Sequence, residues 1–155
     1  MAIDAYSIGT AIAVTNCATD RRTSIRGALR LPEELLEARC TVRSIDRVFA
    51  VSPDIRYVAI YRSGKLNSRQ RGDVEGASAS ESDKYEELLV NPTLLKLITQ
   101  RGNIDCGGAM FLVIRYGNFY QLVIDLPDGH LSVCFELSAN PILFADQLRA
   151  LCSAA

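Results

Sequence analysis

Few residues in this chain have the types and spacing needed for covalent or acid–base chemistry. His130 is the only histidine, and Cys106 lies in the segment Asp105-Cys106-Gly107-Gly108. Histidine titrates near neutral pH and can act as a base. A nucleophilic cysteine needs such a base and oxyanion donors, which glycine-rich backbone can supply. An enzyme that uses Cys106 or His130 is therefore one hypothesis, but structural roles are favoured: a histidine at a strand start, and a tight loop whose glycines adopt unusual φ angles.

The remaining motifs predict no cofactor, no metal site and no disulfide framework. Neither G-x-x-x-x-G-K-[ST] nor G-x-G-x-x-G occurs, and the carboxylates show no paired spacing. The five cysteines are odd in number, widely spaced and without a C-x-x-C pair, which argues against disulfides and zinc. Reduced thiols in a cytoplasmic protein are the simplest explanation for Cys17, Cys40, Cys106, Cys134 and Cys152.

Charge and hydropathy argue against two further classes of partner. The chain has 155 residues with 17 basic and 18 acidic side chains, whereas a general nucleic-acid binder carries a basic excess. The apolar stretch 8–14 is too short to span a bilayer and follows no basic residue. We therefore expect neither nucleic acid nor a membrane as partner. One basic cluster could meet phosphate, although a solvated, charge-protected edge strand is favoured: Arg62, Lys65, Arg69 and Arg71.

The clearest structural signal is a three-strand meander in the last third of the chain. Apolar runs at 110–115, 119–126 and 130–137 are separated by Gly117-Asn118 and by Pro127-Asp128-Gly129. Glycine tolerates the positive φ of a two-residue hairpin turn, and proline followed by glycine is a second turn signal. The meander indicates an antiparallel sheet rather than a parallel nucleotide-binding one.

A helix and two strands are predicted before the meander. From Leu31 to Phe49, apolar residues recur at helical spacing, with Pro32 suited to the first turn. Ser52-Pro53-Asp54 ends this helix. Runs rich in β-forming residues then predict strands at 55–62 and 65–71, joined by a short turn.

A second helical region and a closing helix complete the order of elements. Residues 72–82 predict a loop, and 83–100 a helix interrupted at Asn91-Pro92. There Asn91 is expected to cap a second helix after a bend. Asn140-Pro141 begins the closing helix.

The predicted architecture is an α/β sandwich of the α+β class. Leu112 and Ile114 mark one face of the first meander strand, and Phe111 and Val113 the other. Because both faces are largely apolar, we expect helices on both sides of a five-stranded antiparallel sheet. Residues 1–30 are expected to form an N-terminal extension, as an extra strand or arm, and 31–155 a single domain.

Tyrosines on the predicted strands support a second functional hypothesis. Strand tyrosines often half-bury in a core, but they also line pockets and interfaces. A pocket between sheet and helix, lined by Tyr57, Tyr61, Tyr120 and His130, would suit a small-molecule sensor of the PAS or GAF type.

The element order and several turns resemble the roadblock/LC7-like group of the profilin-like folds over about residues 41–152. The resemblance rests on Ser52-Pro53-Asp54-Ile55-Arg56 entering the first strand and on Arg62-Ser63-Gly64-Lys65 at its hairpin. It also rests on the turns Tyr116-Gly117-Asn118 and Leu126-Pro127-Asp128-Gly129. PAS, GAF and longin domains share part of this layout.

This resemblance implies a non-enzymatic platform without a cofactor. Members of the group typically form homodimers or heterodimers and often bind or regulate small GTPases or motor complexes. Their dimers join the first meander strand edge to edge and pack the central helices together; an apolar edge strand is a hazard unless a partner covers it. The long N-terminus and the bend at Pro92 depart from the group. The interface implied for this chain comprises Tyr85, Leu88, Leu95, Met110, Leu112, Ile114 and Tyr116.

Overall fold

The structure, a computed structural model, describes residues 43–72 and 80–153. The predicted extension at 1–30 and the start of the first predicted helix lie outside these ranges. The described chain forms a five-stranded antiparallel sheet with helices, which confirms the predicted fold class.

Within these ranges the chain forms four α-helices, one π-helical segment, one 3-10 turn and five strands. In chain order they are α1 (43–49), β1 (Ile55–Arg62), β2 (Lys65–Gln70), α2 (Ser80–Tyr85), the π-segment (Glu86–Val90), α3 (Asn91–Asp105), β3 (Leu112–Arg115), β4 (Tyr120–Leu126), β5 (Gly129–Phe135), the 3-10 turn (Pro141–Phe144) and α4 (Ala145–Ser153). None of the helices seen there is long and apolar enough to cross a membrane.

The strand order is β2-β1-β5-β4-β3, so β1, β5 and β4 are interior and β2 and β3 are edges. Tight turns connect sequential neighbours where the sequence predicts them. Ser63-Gly64 closes the β1–β2 hairpin with positive φ at both residues, which a two-residue hairpin turn favours. Gly117-Asn118 closes the β3–β4 turn, spanned by a backbone hydrogen bond of 2.9 Å. Pro127-Asp128 connects β4 to β5.

The apolar face of the sheet packs against α1 and α4. In each strand every second residue points to this face, as the two-residue period of a strand requires. Each large apolar side chain removed from water contributes about 1.5–3 kcal/mol, so this layer is the main hydrophobic core. Its buried members include Ile45, Val48, Val58, Ile60, Leu122, Ile124, Leu131, Val133, Phe135 and Leu148.

The opposite face, here called the polar face, lies under the helices α2 and α3. Ala59 and Val123 are buried on this face. The polar residues Gln121, His130 and Ser132 are buried beside them. Helices cover both sides of the sheet as expected, but this side carries more polar groups than the first meander strand indicates, because β5 places His130 and Ser132 on it.

The helical rod, Ser80 to Asp105, runs through α2, the π-segment and α3 without a break. The π-segment accommodates Pro92, because a proline cannot supply the N–H of a regular α-helical turn. The backbone N–H of Asn91 instead donates to the carbonyl of Glu86, five residues earlier. The second helix, α3, begins at Asn91 as predicted. Asn91 has helical angles and makes no cap, so the predicted cap is wrong. Its side chain donates to Glu87.

A buried carboxylate joins the rod to the sheet. Glu87 is 1% exposed, and its Oε2 lies 2.9 Å from Nε2 of His130 on β5. The same oxygen accepts a hydrogen bond from Nδ2 of Asn91 at 3.0 Å. A buried carboxylate is unfavourable unless it is paired and hydrogen-bonded, so these contacts determine where the rod lies over β5.

Removing the Glu87 carboxylate should destabilise the fold. We expect Glu87→Ala to lower the free energy of unfolding by about 3 kcal/mol, because His130 and Asn91 are left buried without their shared partner. Glu81→Ala is the matched control, since Glu81 is exposed and pairs with Lys84 at the surface, where such pairs contribute less than about 1 kcal/mol. Urea unfolding followed by circular dichroism measures both variants. Equal stabilities would contradict the role given to Glu87.

Candidate functional site

A cavity of about 270 Å³ lies between the polar face of the sheet and the N-terminal half of the helical rod. The sheet forms its floor, α2 and the π-segment cover it, and the β3–β4 turn forms one side. Its lining residues are Arg56, Tyr57, Gln70, Ser82, Asp83, Glu86, Glu87, Tyr116, Asn118, Phe119, Gln121 and Cys134.

Two polar atoms that belong to the lining are buried without a hydrogen-bond partner. Gln121 donates from Nε2 to Oγ of Ser132 at 3.0 Å, which leaves its Oε1 unsatisfied. The Tyr57 hydroxyl is also unsatisfied. Burial raises the pKa of Tyr57. The Ser68 hydroxyl opposes this rise, although it does not form a hydrogen bond of normal geometry with the Tyr57 hydroxyl. Such atoms are rare in folded proteins and require an explanation.

Arg56 is the one basic residue among the described lining residues, and its charge is already compensated. Its guanidinium pairs with Glu136 at 3.4 Å and donates to the carbonyl of Asn118 at 3.2 Å. It also lies 5.5 Å from the ring centre of Phe119. These contacts fix the β3–β4 turn against β1.

The covering side of the cavity is acidic. Asp83, Glu86 and Glu87 all line it. Glu86 accepts a hydrogen bond from the Tyr116 hydroxyl at 2.6 Å, which ties the π-segment to the end of β3. Burial and this hydrogen bond raise the pKa of Tyr116. The described lining therefore contains three acidic residues and one basic residue, and Glu87 is paired with His130.

The four residues predicted to line a pocket are not brought together. Tyr57 lines the cavity. Tyr61 and His130 stack on each other with ring centres 5.5 Å apart, and neither lines the cavity. Tyr120 packs against the core on the apolar face. Sequence reasoning missed Gln121, although a glutamine inside an otherwise apolar strand was a usable signal.

β3 is a short edge strand with an unpaired side. Its four residues pair with β4, and no other described strand lies beyond it. Leu112 and Ile114 are half-buried and lie opposite Val123 and Gln121, so they share the face that the rod covers. An unpaired edge offers a row of N–H and C=O groups to another strand.

The rod and the segment before β3 expose several large apolar side chains. Of the residues predicted for an interface, Tyr85, Leu88 and Met110 are more than half exposed, Tyr116 is half-buried, and Leu95 is 5% exposed. Leu95 packs within the chain and supports the surface from beneath. The apolar surface, with exposures between 51% and 76%, consists of Tyr85, Leu88, Leu89, Leu97, Ile104 and Met110.

The basic cluster on the β1–β2 hairpin is engaged in contacts within the chain. Arg62 lies 3.7 Å from Asp128, and Arg69 pairs with Asp46 at 2.7 Å. Arg71 donates to a backbone carbonyl. These contacts favour the structural interpretation, a charged edge strand, over a phosphate site.

Cys106 and His130 do not form a catalytic pair. Cys106 is exposed just after α3 and contacts Oδ1 of Asp105 at 3.2 Å, whereas His130 is buried beneath the rod. Gly107 and Gly108 have positive φ, as the tight-loop interpretation predicts. In the two described ranges, no cluster of three or more histidine, cysteine or acidic residues has the arrangement of a metal site.

Alkylation should distinguish the three described cysteines. Burial raises the pKa of Cys134 and of Cys152, and the thiolate is the reactive form. We expect iodoacetamide at pH about 8, near the ordinary thiol pKa, to modify Cys106 in the folded chain and the other two only in denaturant. Peptide mass spectrometry after a short pulse measures each site. Labelling of Cys134 as fast as Cys106 in the folded chain would contradict its burial.

Sequence comparison finds no match for this chain, whereas structural comparison finds proteins of similar fold. No protein-family model matches it, and no curated protein matches its sequence. The gliding protein MglB from Thermus thermophilus superposes with a TM-score of 0.55 at 11% identity, covering 74% of this chain and 87% of MglB. MglC from Myxococcus xanthus gives a TM-score of 0.42 at 12% identity, covering 72% and 98%.

The likeness to MglB concerns the fold. MglB is a roadblock/LC7 protein, and the shared features are the five-stranded antiparallel sheet and its helices. The resemblance inferred from element order and turns is confirmed at this level. The chain has the roadblock/LC7 fold.

Proposed function

We propose that this chain is a non-enzymatic interaction platform that works as a homodimer. The observation that carries the proposal is the outer edge of β3, which pairs with no described strand, beside a rod with a half-exposed apolar surface. Edge strands are normally covered or blunted, and large apolar patches usually mark interaction sites. A second copy related by a two-fold axis would cover both features at once, because each copy presents the same surface.

The proposed interface uses the predicted residues that remain accessible. The two β3 strands pair edge to edge, and the rods pack through their apolar surfaces. Since β3 has four residues, its hydrogen bonds are few, and the apolar side chains supply most of the affinity. The contacting residues are Tyr85, Leu88, Met110, Leu112, Ile114 and Tyr116, with Leu95 supporting them from within the chain.

The partner class proposed for the dimer is a small GTPase or a multiprotein complex in the cytoplasm. The support is the roadblock/LC7 fold shared with the gliding protein MglB and the partners typical of that group. The three described cysteines are free, as a reducing compartment allows.

Dimerisation should depend on concentration and on the apolar surface. We expect light scattering to show a dimer for the wild-type chain, and Leu88→Lys to weaken it by about tenfold or more, because a buried interface then contains an unpaired charge. Ile114→Lys, at the β3 edge, should also weaken the dimer.

The matched controls carry the same changes elsewhere on the surface. Leu143→Lys and Ile142→Lys replace exposed residues of the 3-10 turn and should leave the dimer unchanged. A wild-type monomer at every concentration, or a dimer indifferent to Leu88→Lys and Ile114→Lys, would overturn the proposed interface.

Partner binding should depend on the nucleotide. We expect the wild-type dimer to bind a small GTPase from the same genome at least tenfold more tightly in one nucleotide state, a difference of about 1.4 kcal/mol. Biolayer interferometry with GTPases loaded with GDP or a non-hydrolysable GTP analogue measures it. Equal binding to both nucleotide states, or no binding to any of the small GTPases tested, would contradict this partner class.

A further inference from the structure

The cavity under the π-segment has features that dimerisation through β3 does not use. Gln121 is 1% exposed, and its Oε1 has no hydrogen-bond partner although its Nε2 is bonded to Ser132. The Tyr57 hydroxyl, in the same lining, is buried and unpartnered too. A buried acceptor beside a cavity is satisfied when a donor enters that cavity.

The charges of the lining select the kind of donor. Asp83, Glu86 and Glu87 line the cavity, and Glu87 is paired with His130. Arg56 is the basic residue among the described lining, and its guanidinium pairs with Glu136, which is not part of the lining. The acidic groups of the described lining therefore outnumber the basic ones, and charges act more strongly in a partly buried site than in open solvent. A cation is favoured over a neutral molecule or an anion.

The apolar part of the lining selects shape and size. The rings of Tyr116 and Phe119 lie with centres 4.9 Å apart and line the cavity together with Tyr57. Aromatic rings bind flat apolar groups and attract cations. The volume of about 270 Å³ is just below the roughly 300–1,000 Å³ typical of ligand pockets. The occupant is therefore small.

We propose that this cavity binds a small organic cation whose amine- or amidine-type N–H donors sit on a flat apolar body. The donors bind Oε1 of Gln121 and the oxygen of Tyr57, the charge lies among the carboxylates, and the flat body contacts Tyr116 and Phe119. No residue of β3 or α3 lines the cavity, and Tyr116 is the residue that the cavity shares with the proposed interface. The substitutions that test the cavity are at Tyr57, Gln121 and Ser132, outside that interface, so the ligand site and the proposed dimer can fail independently.

Three probes of one shape and different charge test the proposal. Benzamidine is a cation, benzamide is neutral and benzoate is an anion. Each is titrated into the isotope-labelled full chain, and amide shifts are followed by NMR. We expect benzamidine to shift the signals of lining residues saturably and to bind about tenfold or more tightly than benzamide, as for a hydrogen bond to a charged group. Benzoate should not bind.

A paired substitution removes the acceptor without leaving its partner unsatisfied. In Gln121→Leu/Ser132→Ala both hydrogen-bonding groups become apolar, a change that is often neutral or stabilising. We expect benzamidine affinity to fall about tenfold or more while the thermal midpoint is kept or raised. Gln147→Leu, at an exposed position on α4, is the matched control and should bind as wild type. Tyr57→Phe, which removes one hydroxyl, should also weaken binding and serves as the test if the paired variant fails to fold.

Several results would overturn the proposal. They are equal binding of the three probes, saturable shifts away from the lining, or wild-type affinity in a folded Gln121→Leu/Ser132→Ala or Tyr57→Phe variant. Absence of saturable benzamidine binding to the wild-type chain would also overturn it, and the cavity would then hold water alone.

Discussion

One buried carboxylate holds the two halves of this structure in place. Glu87 lies between the helical rod and the sheet, where its burial is tolerated because His130 and Asn91 both contact the same oxygen. His130 comes from β5, and Asn91 is the first residue of α3. The contact sets the height of the rod above the polar face. The cavity lies next to this contact, and Glu87 forms part of its lining.

The two faces of the sheet serve different purposes. The apolar face is closely packed and provides the hydrophobic core. The polar face is held by hydrogen bonds, stacked rings and one ionisable pair, and it contains buried atoms such as Oε1 of Gln121 that gain nothing from folding alone. Proteins tend to retain such unfavourable groups where they contact other molecules. The hydrophobic core therefore lies on one side of the sheet, and the unsatisfied polar atoms of Gln121 and Tyr57 lie on the other.

The elements that sequence reasoning recovered have local causes. Ser63-Gly64 and Gly117-Asn118 are turns because of their own backbone preferences, and the runs of β-forming residues in β4 and β5 are visible in any short window. The side-chain network has no such cause, because Glu87 and His130 are separated by 43 positions in the chain. Asn91 begins α3 but makes no cap, because the π-segment continues the helix before it and its side chain donates to Glu87, four residues earlier.

The shortness of β3 determines how permanent an assembly built on it can be. A four-residue edge forms too few backbone hydrogen bonds to offset the freedom that two chains lose on association. The identity of the partner is then decided by side chains on the rod, such as Leu88, rather than by the strand, whose backbone pairs with any sequence. Subunits joined in this way exchange readily. A paralogue with a matching rod surface would replace one copy without any change in the sheet, so mixed pairs are as accessible to this architecture as identical ones.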